Sequence, residues 1–466
     1  MPARHRHRRE AEETPPLPDG PEWVLAGRAY FGGRIQPLEL GISADGRIVA
    51  LGRDLRAPRR HEVGDRLILP AATDLHVHFR SPVALRAGES WSTGTVQAAL
   101  GGVGLVAEMP NSDPPVTTAD RLLERRDAGA GRIAVDMLLF GALTERRRVP
   151  ALARACGAFK LYLAPTTGIA PPDAAEPLDG LLEAVAATGL PLTVHAEDPR
   201  EFRHPLELTS TAGWNEARPL RAEHRAVEEL LARAPPGLRL NIAHVTQAEV
   251  AELIARAGHL FEVTPHHLLL SARSTGDAFT KVNPPLRREP ERSALFERFA
   301  AGTVPVLASD HAPHPIAEKE LPFERAPSGM PGVATMLPLL LALARTGSLP
   351  LPELIRSACE RPARWLGQPV GRIALGHRAD LIVIDPKQRR TISAERLGIP
   401  CGWTAFEGWE GVFPQEHYHG GEPLVEGGEY VGRPLGRFVR PEFAPAPPWP
   451  APSGGPGDVG VGPTED

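Results

Sequence analysis

Two histidines one residue apart, with an arginine two further on, close the apolar run ATDLHVHFR: His76, His78 and Arg80. On an extended strand, residues two apart leave the same face, so both imidazoles can meet one cation with the guanidinium on their side. Other groups able to hold a metal sit at the ends of apolar runs further along: Lys160 in AFKLYLA, His195 in LTVHAE, His244 in LRLNIAHVT and Asp310 in VPVLASDH. Imidazole and carboxylate ligands without thiolate suit a catalytic zinc ion better than a closed structural site. Lys160 is the odd member, since the chain otherwise relies on arginine and has only three further lysines, Lys281, Lys319 and Lys387. An ammonium beside metal ions is repelled, and burial favours the neutral amine. A neutral amine can take up carbon dioxide to give a carbamate, an anion with two oxygens able to bridge two metals. Otherwise this side chain must snorkel outward.

Bringing such distant residues together requires a frame that gathers strand ends. Eight candidate strands run through the middle of the chain: LILPAATDLHVH, GLVAEMPN, AVDMLLFGAL, AFKLYLA, LTVHAE, LRLNIAHVT, FEVTPHH and VPVLASDH. Helix-like segments such as DGLLEAVAAT and EHRAVEELLARA separate them, the pattern of repeated βα units. The fold class expected is therefore α/β, a (β/α)8 TIM barrel over residues 69–366, with functional groups at the C-terminal ends of its strands. Short apolar runs with Gly or Asp-Gly turns fill 21–68, and a similar style returns in GRIALGHRADLIVID, so 21–68 and 367–440 are expected to build one small β-sandwich domain from both chain ends. Residues 1–20 and the Pro/Gly-rich 441–466 read as loose tails.

Composition narrows the function classes. With 466 residues, 42% apolar and 23% charged, the chain has the make-up of an ordinary globular enzyme. A net charge of −5 gives no reason to expect nucleic acid or an anionic membrane as partner. The richest apolar run, MLPLLLALA, is far short of the ~20 residues that span a bilayer. Cys156, Cys359 and Cys401 are scattered, which suggests neither a disulfide framework nor a thiolate metal site and fits a reducing, cytoplasmic setting.

The motifs DLHVHFR, MPNSDPP, FKLYL, HAED, AHVT, VNPPLR and SDHAPH occur in an order that resembles the amidohydrolase superfamily, and within it the dihydroorotases, over nearly the whole folded span. The resemblance implies two Zn2+ ions, bridged by hydroxide and by Lys160 as carboxylysine. His76, His78 and Asp310 would hold the first ion, and His195 and His244 the second. It implies reversible closure of N-carbamoyl-L-aspartate to L-dihydroorotate, a step of pyrimidine biosynthesis, with Asp310 as the catalytic proton carrier. It also implies Arg80, Asn111, Asn283 and His314 as substrate-binding residues, with Ser328 and Gly329 of APSGMPG offering backbone groups to the ring amide. His266 and His267 resemble the family too and are read as supporting or packing groups.

One departure stands out: where the family follows the arginine with an acidic residue, proline and glycine, this chain has Ser81, Pro82 and Val83. Two alternatives stay open. A related cyclic amidase (hydantoinase, dihydropyrimidinase or allantoinase) would share the metals without needing the Arg80, Asn111 and His314 set. A non-catalytic homologue would instead scaffold a partner such as aspartate transcarbamoylase. A homo-oligomer is the expected assembly.

Overall fold

The computed structural model describes residues 20–83, 89–204, 208–273 and 277–442, so the expected tails lie outside the described residues apart from Gly20, Pro441 and Glu442. Four strands come first: β1 (Trp23–Phe31), β2 (Arg34–Ile42), β3 (Ile48–Gly52) and β4 (Arg59–Pro70). Eight more follow: β5 (Ala72–Val77), β6 (Val103–Glu108), β7 (Asp136–Ala142), β8 (Ala158–Tyr162), β9 (Leu192–His195), β10 (Leu240–Ile242), β11 (Leu260–Val263) and β12 (Val306–Leu307). These eight pair in sequence order, every pair parallel, and a parallel bridge between Val77 and His311 closes the ring. The (β/α)8 barrel expected from the strand count is therefore present. Its strands are buried on both faces, which is why they read as nearly continuous apolar runs.

Each expected strand overlaps one barrel strand, with a difference at the first. LILPAATDLHVH is not one strand: LILP ends β4, and the chain breaks pairing at Ala71 before β5 begins. The next strand, β13 (Leu381–Ile384), pairs antiparallel with β4, and so joins the two ends of the chain. A small pair follows, β14 (Arg390–Thr391) with β15 (Glu410–Gly411), then β16 (Pro414–His419), β17 (Glu422–Glu426) and β18 (Glu429–Tyr430). β14 and β15 stand apart as a two-strand sheet, and the others form a single eight-strand path with the first four, β18-β17-β16-β13-β4-β1-β2-β3. Trp23, Leu25, Leu40, Ile48, Ile68 and Leu381 pack in an apolar cluster of its own.

The last strand, β19 (Phe438–Val439), does not join that path. It pairs parallel with Met137 and Leu138 of β7, below the level at which β8 takes over at Phe140. Arg440 fastens the strap by donating to the carbonyl oxygens of Ala153, Arg154 and Cys156. Residues 438–440, expected in the smaller unit, thus belong with the barrel floor. Among the described residues, no helix is long and apolar enough to cross a membrane.

Candidate metal centre and substrate pocket

Because βα units run in one direction, the strand tips converge at one mouth. His76 lies in β5 and His78 one residue past it; Lys160 is in β8, His195 ends β9, His244 lies two residues past β10, and Asp310 three past β12. All six are buried or nearly so. One ligand atom from each of His76, His78 and Asp310 lies within 4.8 Å of the others. Asp310 Oδ1 is 3.3 Å from His76 Nε2 and 3.2 Å from His78 Nε2, and Lys160 Nζ is 3.3 Å from His76 Nε2. On the other side of the pocket, His195 Nδ1 faces His244 Nε2 at 3.0 Å. The His76 and His244 rings lie 5.4 Å apart, so the two groups share one space.

The orientation of each ring is fixed from behind. His76 Nδ1 is bonded to the buried Glu262, which also accepts from Asn241 Nδ2 at 3.0 Å. His195 Nε2 donates to Glu197 at 2.8 Å, and Arg218 pairs with the same carboxylate. His78 Nδ1 stands 2.6 Å from Asn111 Oδ1, whose amide in turn donates to the Thr167 carbonyl. In each case the outer nitrogen is engaged and the inner one is left with a lone pair toward the pocket, as a metal ligand needs.

The electrostatics agree. Burial takes the His78 imidazole down to about 4 and that of His244 well below its ordinary value, so both are neutral bases at pH 7. Burial also lowers the Lys160 ammonium to about 8, against the pull of Glu262 and Asp310. Burial alone would raise the Asp310 carboxyl, but His76, His78 and His244 around it hold it well below the usual range. Neutral imidazoles, an ionised carboxylate and an amine poised to lose its proton make a donor set that fits divalent cations.

Above this cage the pocket is lined by Arg80, Asn111, Tyr162, Asn283, Ser328 and Gly329, among others. Arg80 has a left-handed backbone (φ 64°), as do His244 (39°) and Asp310 (46°). Only one other non-glycine residue among those described has positive φ, so this uncommon geometry is concentrated at the site. The Phe79 and Arg80 N–H groups donate to Glu108 at 2.9 and 2.8 Å, and the Trp91 indole adds a third bond at 3.2 Å. Burial raises the Glu108 carboxyl to about 7, while Arg125 beside it pulls it down. The His314 Nε2 stands 3.2 Å from both Arg80 Nη2 and the Ser328 carbonyl oxygen, so its tautomer selects between them. With the proton on Nδ1, directed at Glu318 3.0 Å away, Nε2 accepts from Arg80.

Gly329 brings backbone close to the pocket wall. It lines the pocket at φ 136°, and a Cβ there would sit 2.5 Å from the Ala312 carbonyl oxygen. Its N–H, however, is already donated to the Lys281 carbonyl at 2.9 Å, and its own carbonyl accepts from Lys319 Nζ at 2.9 Å. The glycine is needed for close approach. His266 and His267 follow β11 by three and four residues, in the short helix Pro265–Leu269, where His267 bonds to Thr264 and to the Pro284 carbonyl.

Four groups at the site were not read from the sequence: Glu262, Glu197, Glu108 and Tyr162. Glu108 and Glu262 carried a signal, since each is an acid inside an otherwise apolar strand.

Comparison with known proteins bears on the same residues. The model described as "Amidohydrolase family" matches residues 67–410, which takes in the whole cage. The chain belongs to the amidohydrolase family. Within it, a dihydroorotase of Halobacterium salinarum is 39% identical over 400 residues, covering 84% of this chain and 93% of that protein. A dihydroorotase of Methanosarcina acetivorans is 34% identical, covering 85% and 90% respectively. Among solved structures, the L-hydantoinase (dihydropyrimidinase) from Arthrobacter aurescens superposes with a TM-score of 0.83 at 25% identity, covering 90% of this chain and 99% of that one. A D-hydantoinase at 22% identity and TM-score 0.81 shares the fold.

Proposed function

We propose that this amidohydrolase is a dihydroorotase, interconverting N-carbamoyl-L-aspartate and L-dihydroorotate with gain or loss of one water, a step of pyrimidine biosynthesis. The observation that carries this reading is Arg80: a guanidinium in the pocket above the cage, with a buried Nε that has no partner. A cation with an unused donor at the mouth of a metal cage calls for an anionic group on the substrate, and its planar fork suits a carboxylate. Hydantoin and dihydrouracil rings have no such group, which weighs against the hydantoinase alternative despite the likeness of fold.

Two Zn2+ ions are the cations proposed, held by His76, His78 and Asp310 on one side and His195 and His244 on the other. Lys160 would bridge them after its neutral amine adds carbon dioxide and releases one proton. Bound divalent metals of this kind lower the pKa of water and polarise the amide carbonyl. The chain's own residues supply the rest. Asp310 accepts the proton of the attacking water and passes it to the departing ring nitrogen, general base becoming general acid. Arg80 and Asn111 hold the substrate carboxylate, joined by His314 once its proton sits on Nε2, and Asn283 and Ser328 orient the ring. Asn283 is itself fixed by the Trp214 indole, which donates to its side-chain oxygen at 3.1 Å. A homo-oligomer, and contact with aspartate transcarbamoylase, are part of the same proposal.

Steady-state assays with L-dihydroorotate, hydantoin, dihydrouracil and allantoin test the substrate; preference for an uncharged ring would overturn the assignment. Lys160→Ala tests the bridge. It should lower kcat at least a thousandfold, and a variant within tenfold of wild type would rule the bridge out.

A further inference from the structure

Tyr162 ends β8 two residues after Lys160, so both side chains leave the same face of the strand. The Lys160 Nζ lies 5.3 Å from the centre of the phenol ring, and the His195 ring 6.3 Å. Only 3% of the residue is exposed, and it lines the pocket together with Arg80, Asn283 and Asp310. Its hydroxyl has no hydrogen-bond partner. Buried tyrosine hydroxyls ordinarily find an acceptor, and a buried donor left without one demands an explanation. The Arg80 Nε in the same pocket is also unpartnered. Two unpartnered donors, one of them cationic, thus belong to residues that line one pocket, from β8 and from the tip of β5.

We propose that Tyr162 is a further substrate-binding residue, whose hydroxyl donates to the free carboxylate of the bound ring alongside Arg80 and so selects carboxylate-bearing cyclic amides over uncharged ones. The identity of the ring rests on the dihydroorotase reading; the hydroxyl's role does not depend on turnover. A pocket built to hydrogen-bond a polar group discriminates strongly, because a ligand lacking that group leaves buried donors unpaired. The substitution that isolates the effect is Tyr162→Phe, which keeps the ring against Lys160 and His195 and removes only the oxygen.

The KM of the variant for L-dihydroorotate should rise about tenfold or more, the range expected for a lost hydrogen bond to a charged group, with kcat within about twofold. Metal content and thermal midpoint, measured on the same samples, should match wild type. Calorimetric Kd for L-dihydroorotate should follow KM, while binding of dihydrouracil, which has the ring and no carboxylate, should be equal in the two proteins. Unchanged KM and Kd overturn the proposal. So does a fall in kcat common to both rings, which would put the hydroxyl on the amide under attack. If wild type leaves dihydroorotate unhydrolysed, the functional reading falls alone and calorimetry still decides: weaker binding of the carboxylate-bearing ring by the variant sustains Tyr162, and equal binding ends it.

Discussion

His195 presents its Nδ1 to His244 Nε2 at 3.0 Å, while its own Nε2 is committed to Glu197. Two imidazoles meeting nitrogen to nitrogen inside a buried pocket need either a proton or a cation between them; burial keeps both rings neutral, and a His244 tautomer that donated from Nε2 would leave its buried Nδ1 a bare acceptor. A cation is the better tenant. Chelation should therefore lower the thermal midpoint by several degrees and abolish activity, and Zn2+ should restore both, since a ligand at a thousand times its Kd adds about 4 kcal/mol. Calorimetry with and without chelator checks this; identical midpoints together with full activity would exclude a metal here.

Glu262→Gln should weaken metal binding about 10- to 100-fold, because the carboxylate fixes the His76 ring through Nδ1 and makes the imidazole a stronger donor. Zn2+ titration against a competing chelator reads the change. Affinity equal to wild type would mean that the glutamate only fills space.

Gly329→Ala tests the close approach in the pocket wall. The new Cβ would meet the Ala312 carbonyl oxygen at 2.5 Å from a backbone at φ 136°, so the loop has to move. The expected cost is about 1–3 kcal/mol in stability, with KM raised more than kcat is lowered. Urea unfolding and steady-state kinetics report the two effects, and a variant indistinguishable from wild type would show that the loop is free to adjust.

Asp136→Asn addresses the join between barrel and smaller sheet. Asp136, at the start of β7, is bonded to Arg378, to His419 Nε2 at 3.0 Å and to the Arg437 N–H at 2.8 Å. Burial alone would raise its carboxyl, but the His419 and Arg378 contacts outweigh this and hold it well below the usual carboxylate range. The folded pKa thus lies below the unfolded value, so this stabilisation is present above about pH 4 and is lost as the pH falls further. The variant should be less stable by about 3–5 kcal/mol at pH 7, as for a broken buried pair, and the difference should shrink in acid. A gap of equal size at pH 3 and pH 7 would contradict the ionic account.

The barrel was legible because its strands, buried on both faces, are written as apolar runs whose last residues are polar; His76, Lys160, His195 and Asp310 are visible for that reason. The supporting acids were harder to see. Glu262 stands out within LFEV only if one asks why a charge sits in a buried strand, and nothing in the sequence pairs it with His76, 186 residues away. The left-handed backbone at Arg80, His244 and Asp310 left no mark at all, because these positions are not glycine. The destination of β19 was equally hidden: Phe438 and Val439 are two residues in a Pro/Gly-rich stretch, and only three-dimensional pairing places them under β7.

That small strand has a temporal consequence. The lower edge of β7 lacks its neighbour until Phe438 has been made, and β4 lacks β13 until Leu381 has. Synthesis from the amino terminus therefore yields all eight staves of the cask before the last hoop, and a nascent chain must carry two bare edges on the ribosome for some 240 residues, or roughly 12–50 seconds at about 5–20 residues per second.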